Sequence, residues 1–423
     1  MIITAPRVIP ALPGSGVLEP GYVVVSGDRI TAVGQGAPPA APDVGLAAGV
    51  LVPGLVDLQV NGYFGVELMA ADPAGWAAVA EGLPATGCTA FLPTFITAPL
   101  RQLTGALVSV AEFFRRERWR GARALGVHLE GPFIAPARRG AHNPDWIIPP
   151  TAAAVGALLD AGAGLLRLVT LAPEADGAMA AVARLAGAGV LVSVGHSDAT
   201  AQQVAAAAGA GARMVTHLFN AQRPLHHREP GVVGQALADA RLTSGLIVDL
   251  HHVSAVACAV AFAAAPGRIC LVTDAAACAG RPPGAYLLGG EPIELPPGEG
   301  EPPRRADGTL AGSALRMDRA VANMVAVLAR GGDPPEPPAS RWRGGDTPSA
   351  RPASPASGPG GSTVPADAPG LAAAVAAASR IPADLIGRPG LGRLAPGAAA
   401  DLVWLDDDLR TAATWIRGER VFP

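Results

Sequence analysis

The sequence predicts an α/β protein: a (β/α)8 TIM-like barrel carrying a small β-sandwich domain formed from the N- and C-terminal segments. Three observations lead there. Eight apolar runs of strand length alternate with alanine-rich stretches of helical character, the pattern of a parallel barrel whose strands are buried on both faces. Both ends of the chain read instead as short β segments separated by turns. The 423 residues, half of them hydrophobic, suffice for one large core plus a small one.

Taken in order, residues 1–52 contain "GVLEPGYVVVSGDRITAVG", two strands around Pro-Gly and Gly-Asp turns. The barrel is expected over 53–385. Its strands are read as 51–60 (reaching back across the boundary), 88–95, 123–130, 165–171, 190–195, 213–216, 245–249 and 268–274. One stretch breaks the alternation. Residues 331–370 hold ten prolines and eight glycines, too few apolar side chains for a core, and are expected to be a disordered insertion. Residues 386–423 return to short β segments and complete the small domain with 1–52.

Composition removes several functions. A net charge of −3 offers no electrostatic reason for nucleic acid or an anionic membrane as partner. The most apolar helical run, "VSAVACAVAFAAA", is too short to span a bilayer, and the start lacks the pattern of a signal peptide. Cys88, Cys258, Cys270 and Cys278 have no CxxC spacing and suit reduced thiols in a cytoplasmic protein. The chain contains no lysine, so Schiff-base chemistry and a lysine-bridged metal pair are both excluded.

The histidines point to a site. All eight lie between His128 and His252. In a β/α barrel the functional face is where the strands finish. The third strand ends at Glu130, "GVHLEGPF"; the fifth at His196, "VSVGHSDA"; the sixth at His217, "MVTHLFNA". The seventh brings Asp249 and His252, and the eighth ends at Asp274, "LVTDAAA". Any one of these alone reads more simply as a loop residue or a helix cap. Five strands delivering titratable groups to one rim do not. One carboxylate and two imidazoles are a set that binds a catalytic divalent ion with a position left for water. A further carboxylate, Asp274, can accept a proton and return it to a leaving group. That outline is metal-assisted amide hydrolysis.

The motifs "PGLVDLQVNG", "GVHLEGPF", "GAHNP", "LAPE", "VSVGHSDAT", "VTHLFNA", "REPGVVG", "LVTDA" and "DGTLAGSALRM" occur in the order found in the N-acetylglucosamine-6-phosphate deacetylase family of the amidohydrolase superfamily, which the chain resembles from about residue 21 to its end, the insertion aside. The resemblance implies a hydrolase of a linear amide, converting N-acetylglucosamine 6-phosphate to glucosamine 6-phosphate and acetate in amino-sugar catabolism or cell-wall recycling. It implies Glu130, His196 and His217 as ligands of one divalent ion per subunit. Zn2+ is expected, with Fe2+, Co2+ or Mn2+ also compatible. It implies Asp274 as catalytic base and acid. It implies substrate contacts from Ala141, His142, Asn220, Ala221, Arg228, His252, Leu310, Ala311 and Gly312, with Arg228 reaching the site of a neighbouring subunit in a homodimer. Two other readings stand beside this one: a deacetylase of N-acetylgalactosamine 6-phosphate, and a non-catalytic barrel scaffold. Leu250 occupies a position where glycine is more usual in the family, and Cys278 has no role beyond packing.

Gln59 and Asn61 share one face of the first strand, where many metal hydrolases carry two histidines. With amides there, and without lysine, a second ion lacks ligands. The two amides are therefore expected behind the ligands, bonding a water on the metal or filling the space.

Overall fold

The computed structural model describes residues 1–116, 120–162, 164–298, 300–329 and 370–423. The insertion read at 331–370 lies outside the described residues apart from Gly370. Eight parallel strands form the barrel: β1 Leu55–Val60, β2 Cys88–Ile96, β3 Val127–Glu130, β4 Leu166–Leu171, β5 Leu191–Val194, β6 Met214–Val215, β7 Thr243–Leu246 and β8 Ile269–Leu271. β1 pairs with β2, and the ladder runs in order from β3 to β8. It closes through the bridge Val60↔Ala275 and through Asp274 N–H donating to Gln59 O at 3.0 Å.

Every residue of β1 and β2 is buried. This is why those segments read as continuous apolar runs rather than as an alternation. Helices cover the outside, including Leu100–Arg116, Ala201–Ala210, Ala255–Ala264 and Met317–Ala329. Their starts follow local chemistry: Asp72 caps one helix, Thr200 and Gln203 form a capping box on another, and Ser254 caps a third.

The small domain has two four-stranded sheets. One orders Arg29–Gln35, Gly21–Ser26, Ile2–Ala5 and Val44–Gly45; the other orders Glu419–Phe422, Thr411–Ile416, Leu402–Leu405 and Val50–Pro53. Ile3, Val23, Ile30, Leu51, Leu402 and Trp415 pack between them. The run expected as one strand over 51–60 is therefore two. Leu51 to Pro53 bond antiparallel to 402–404 in the small domain, the chain passes Gly54, and the barrel strand begins at Leu55. A Cβ on Gly54 would sit 2.1 Å from Thr89 Oγ1, so this crossing tolerates no side chain.

Every barrel strand but β2 is shorter than expected, and the run read as one strand over 123–130 is interrupted: Arg123–Ala124 pairs with β2 before β3 begins at Val127. β8 stops at Leu271, and three residues on Asp274 has φ +53°, outside the extended region. An additional hairpin, Gly284–Leu288 with Glu291–Leu295, follows β8 and shares a small apolar cluster with Ile96, Cys278 and Ala311. Packing there accounts for Cys278.

Candidate metal and catalytic site

Glu130 is the last residue of β3, and His196, His217 and Asp274 follow β5, β6 and β8. His196, His217 and Asp274 all have positive φ, at 47°, 28° and 53°. Left-handed backbone is costly for non-glycine residues and clusters at functional sites. Here these three residues line one cavity. Phe219, Ala221 and Leu250 are positive as well. For Leu250, φ +67° explains why glycine suits that position.

Three atoms converge. Glu130 Oε1 lies 2.9 Å from His217 Nε2 and 3.2 Å from His196 Nε2, and the two nitrogens are 3.1 Å apart. His196 Nδ1 is 2.9 Å from the Arg138 carbonyl, which takes its proton and leaves the Nε2 lone pair facing the other two atoms. All three residues are buried. Ligands held tetrahedrally at the usual ~2.0–2.2 Å from zinc stand roughly 3.3 Å apart, so this nearly equilateral triangle fits one divalent ion. Glu130, His142 and His196 also fall within 4.8 Å of one another, a looser set. His142 Nδ1 accepts the Thr97 N–H at 3.4 Å, so the neutral ring carries its proton on Nε2 and has no lone pair there for a metal; His217 is the better third ligand.

The electrostatics ask for positive charge. Burial alone would raise the Glu130 carboxyl, but hydrogen bonds and charge from His196 and His217 hold it well below the ordinary value. Burial would lower His217, and Glu130 raises it instead. Burial, then the nearby His196, keeps His142 neutral, well below the usual imidazole value. Asp274 is pushed up to about 6, first by burial and then by the charge of Glu130. A carboxyl at that value can both take and release a proton near neutral pH.

Gln59 and Asn61 hold these carboxylates. Gln59 Nε2 is 3.0 Å from both Glu130 Oε1 and Asp274 Oδ1, and Asn61 Nδ2 donates to Asp274 Oδ1 at 2.7 Å. The amide NH2 groups thus bond the two acids themselves.

The triad and Asp274 line one wall of a cavity of about 390 Å3. Ala141, His142, Asn220, Ala221, His252, Leu310 and Gly312 line it too. His252 is oriented by Asp249, whose Oδ2 lies 2.6 Å from its Nδ1. Burial would raise the Asp249 carboxyl, but His252 holds it low. Ala311 is not on the cavity wall: it is fully buried in the cluster beneath the hairpin. Arg228 is not there either. It sits exposed on a turn closed by the His226–Glu229 bridge, its Nη1 2.9 Å from His227 Nε2. Sequence reasoning missed Arg138, which lines the cavity and shares Asp198 with Arg223 at 2.7 and 2.8 Å. The run "ARRGAHNP" carried that signal, a cation four residues before His142. Thr97 and Thr309 had no such signal.

No family model matches the sequence. Curated relatives do. The chain is 36% identical over 314 residues to the N-acetylglucosamine-6-phosphate deacetylase of Bacillus subtilis (strain 168), covering 73% of this chain and 78% of that one. It is 41% identical over 278 residues to the N-acetylgalactosamine-6-phosphate deacetylase of Escherichia coli O157:H7, covering 66% and 73%. Among solved structures, the N-acetyl-D-glucosamine-6-phosphate deacetylase of Mycobacterium smegmatis superposes with a TM-score of 0.84 at 35% identity, covering all of both chains. A mutant of that protein is known in complex with N-acetyl-D-glucosamine-6-phosphate. The chain belongs to the N-acetylglucosamine-6-phosphate deacetylases of the amidohydrolase superfamily.

Proposed function

We propose that this protein hydrolyses N-acetylglucosamine 6-phosphate to glucosamine 6-phosphate and acetate, using one divalent ion per subunit held by Glu130, His196 and His217. The observation that carries the reading is the 2.9–3.2 Å triangle of ligand atoms beside a raised carboxyl, Asp274, on the wall of one cavity. When bound, the ion supplies Lewis acidity: it lowers the pKa of water and polarises the acetyl carbonyl. Zn2+ suits two imidazoles and a carboxylate, and Fe2+, Co2+ or Mn2+ suit them too.

The chain's own residues do the rest. Asp274 accepts the proton of the attacking water, and the new C–O bond forms at the acetyl carbon. Asp274 then returns that proton to the sugar nitrogen as the C–N bond breaks. His142, kept neutral by burial and oriented by Thr97, is placed to hydrogen-bond the acetamide or the sugar. His252, oriented by Asp249, faces the same cavity. Ala141, Asn220, Ala221, Leu310 and Gly312 shape it.

Arg228 lies outside the cavity of its own chain, on an exposed turn near exposed Leu225. Val256 and Val260 are also exposed, one turn apart on the helix Ala255–Ala264. These features support a homodimer in which Arg228 meets the partner's sugar phosphate as a fork donor. Four buried free thiols support a reducing, cytoplasmic compartment. No described helix is long and apolar enough to cross a membrane.

The 41% identity to an N-acetylgalactosamine-6-phosphate deacetylase supports a second reading, the epimeric substrate. The scaffold reading has no such support, since every residue of the catalytic set is present. Acetate release from both sugar phosphates, measured with metal content, tests the proposal. Asp274→Asn should lose about 10²–10⁴ in kcat with its metal retained. Near-full turnover by that variant would overturn the mechanism.

A further inference from the structure

Asp274 has a backbone conformation that needs support. A non-glycine residue at φ +53° carries backbone strain, and its neighbours must impose it. The bonds around it lead to one buried group outside the mechanism, Asp57. We propose that Asp57, acting through Thr273, is the positioning residue that aims Asp274 at the scissile amide. The inference rests on the reading of Asp274 as the proton carrier.

Asp57 belongs to β1 and is 2% exposed. Its Oδ2 accepts the Thr273 hydroxyl at 2.6 Å. Its Oδ1 accepts the backbone N–H of Thr273 and of Gln59, each at 3.2 Å. Thr273 Oγ1 in turn accepts the N–H of Ala275 at 3.1 Å. The residues before and after Asp274 are thus tied to one hydroxyl, and that hydroxyl to one carboxylate. A second brace comes from Ser313, whose Oγ donates to Thr273 O at 2.6 Å and whose N–H donates to Asp274 O at 2.8 Å. The other end of the clamp is Gln59. Asp57 holds its backbone, and its side chain meets Asp274 Oδ1 at 3.0 Å. One carboxylate therefore fixes both the backbone beneath Asp274 and the amide that orients its oxygen.

Closing the barrel does not require a charge here. Burial pushes Asp57 up to about 7, a penalty an apolar residue at this seam would avoid. The accepting oxygens explain its presence: each one ends on a group bonded to Asp274 or on the backbone that carries it.

Thr273→Val removes the hydroxyl while keeping the shape, and Thr273→Ser keeps the hydroxyl. Misplacing a catalytic group by about 1 Å can cost roughly a hundredfold in rate. The valine variant should therefore lose about tenfold to a hundredfold in kcat, with KM within about threefold and metal content unchanged, and serine should restore most of kcat. A purely structural bond would lower the melting temperature and leave kcat of the folded fraction alone. Asp57→Asn, with the same readouts, decides the matter if Thr273→Val does not fold. An active wild type with a valine variant within about twofold of its kcat, or valine and serine variants equally impaired, overturns the inference alone. A metal-replete wild type that releases no acetate overturns the deacetylase reading and the inference with it.

Discussion

Replacing Asn61 with leucine should move the acid limb of the activity profile upward. Asn61 Nδ2 donates to Asp274 Oδ1 at 2.7 Å, and both side chains are buried. Burial and then Glu130 raise Asp274 to about 6, and the Asn61 hydrogen bond is among the influences that pull it down. A hydrogen bond to a charged group contributes about 1.5–3 kcal/mol, and about 1.4 kcal/mol corresponds to one pKa unit. Losing it should raise Asp274 by at least about one pH unit. Asp274 must be ionised to take a proton, so the rate falls as pH drops through its value. In the variant that fall begins about one pH unit higher. Below both midpoints the variant should run about tenfold slower than wild type; well above both it should approach wild type. Cation charge in the triad lowers both midpoints together, so the displacement between the two curves is the readout. The assay is kcat/KM for acetate release across pH 5–9 on metal-replete protein. A midpoint that stays in place or moves down refutes the assignment of Asp274 as the titrating base.

Three further outcomes are expected. Glu130→Gln removes the anionic corner of the triangle and should lose most of the bound divalent ion, with acetate release falling in proportion; metal analysis after dialysis reads this directly. Arg138→Leu should raise KM by about tenfold, the worth of a modest charge-assisted bond, and leave kcat nearly unchanged, because the bond to His196 comes from the Arg138 backbone. Asp57 gives a pH dependence of stability. Its carboxyl is raised by burial from 3.8 to about 7, so the fold prefers the protonated form. That preference is fully present below about pH 4 and lost as pH rises through about 7. The melting temperature of wild type should therefore fall relative to Asp57→Asn between pH 5 and pH 8, and a gap that widens in favour of wild type would contradict it.

The architecture was legible because buried parallel strands leave continuous apolar runs, and all eight did so. The ends of those runs were less so. Leu51 to Pro53 and Leu55 to Val60 are equally apolar, yet they serve different sheets. Only Gly54, packed against Thr89, separates them. The proposed metal ligands and Asp274 stand out in the sequence because each is a polar residue at the end of an apolar strand. Arg138, Thr97 and Thr309 could not, since loops carry no period and their path over the barrel mouth is set by tertiary contacts. Ala311 shows the reverse case. Its place in a motif suggested the cavity wall, but the hairpin after β8, which no apolar run predicted, draws its side chain underneath. Whether Arg228 acts could not be read from one chain at all, because its own cavity does not contain it.

The amides at 59 and 61 carry the expectation of one ion in the site. Two carboxylates, Glu130 and Asp274, sit close enough for one NH2 group to reach both at 3.0 Å. Such a pair repels: burial first, and then the charge of Glu130, raises Asp274. A second cation between them would relieve the repulsion, and so would neutral donors. This chain uses donors. Gln59 bridges both acids, and Asn61 adds a second N–H to Asp274. Their remaining oxygens, Gln59 Oε1 and Asn61 Oδ1, are buried with no hydrogen-bond partner among the described residues, but a single neutral amide oxygen from each is a weak substitute for two imidazoles. With no lysine in the chain to bridge a metal pair, the expected stoichiometry is one ion per subunit. Gln59→His with Asn61→His restores two nitrogens at that spacing and should raise the measured content above one. A wild-type content of two would show that the amides are ligands rather than donors.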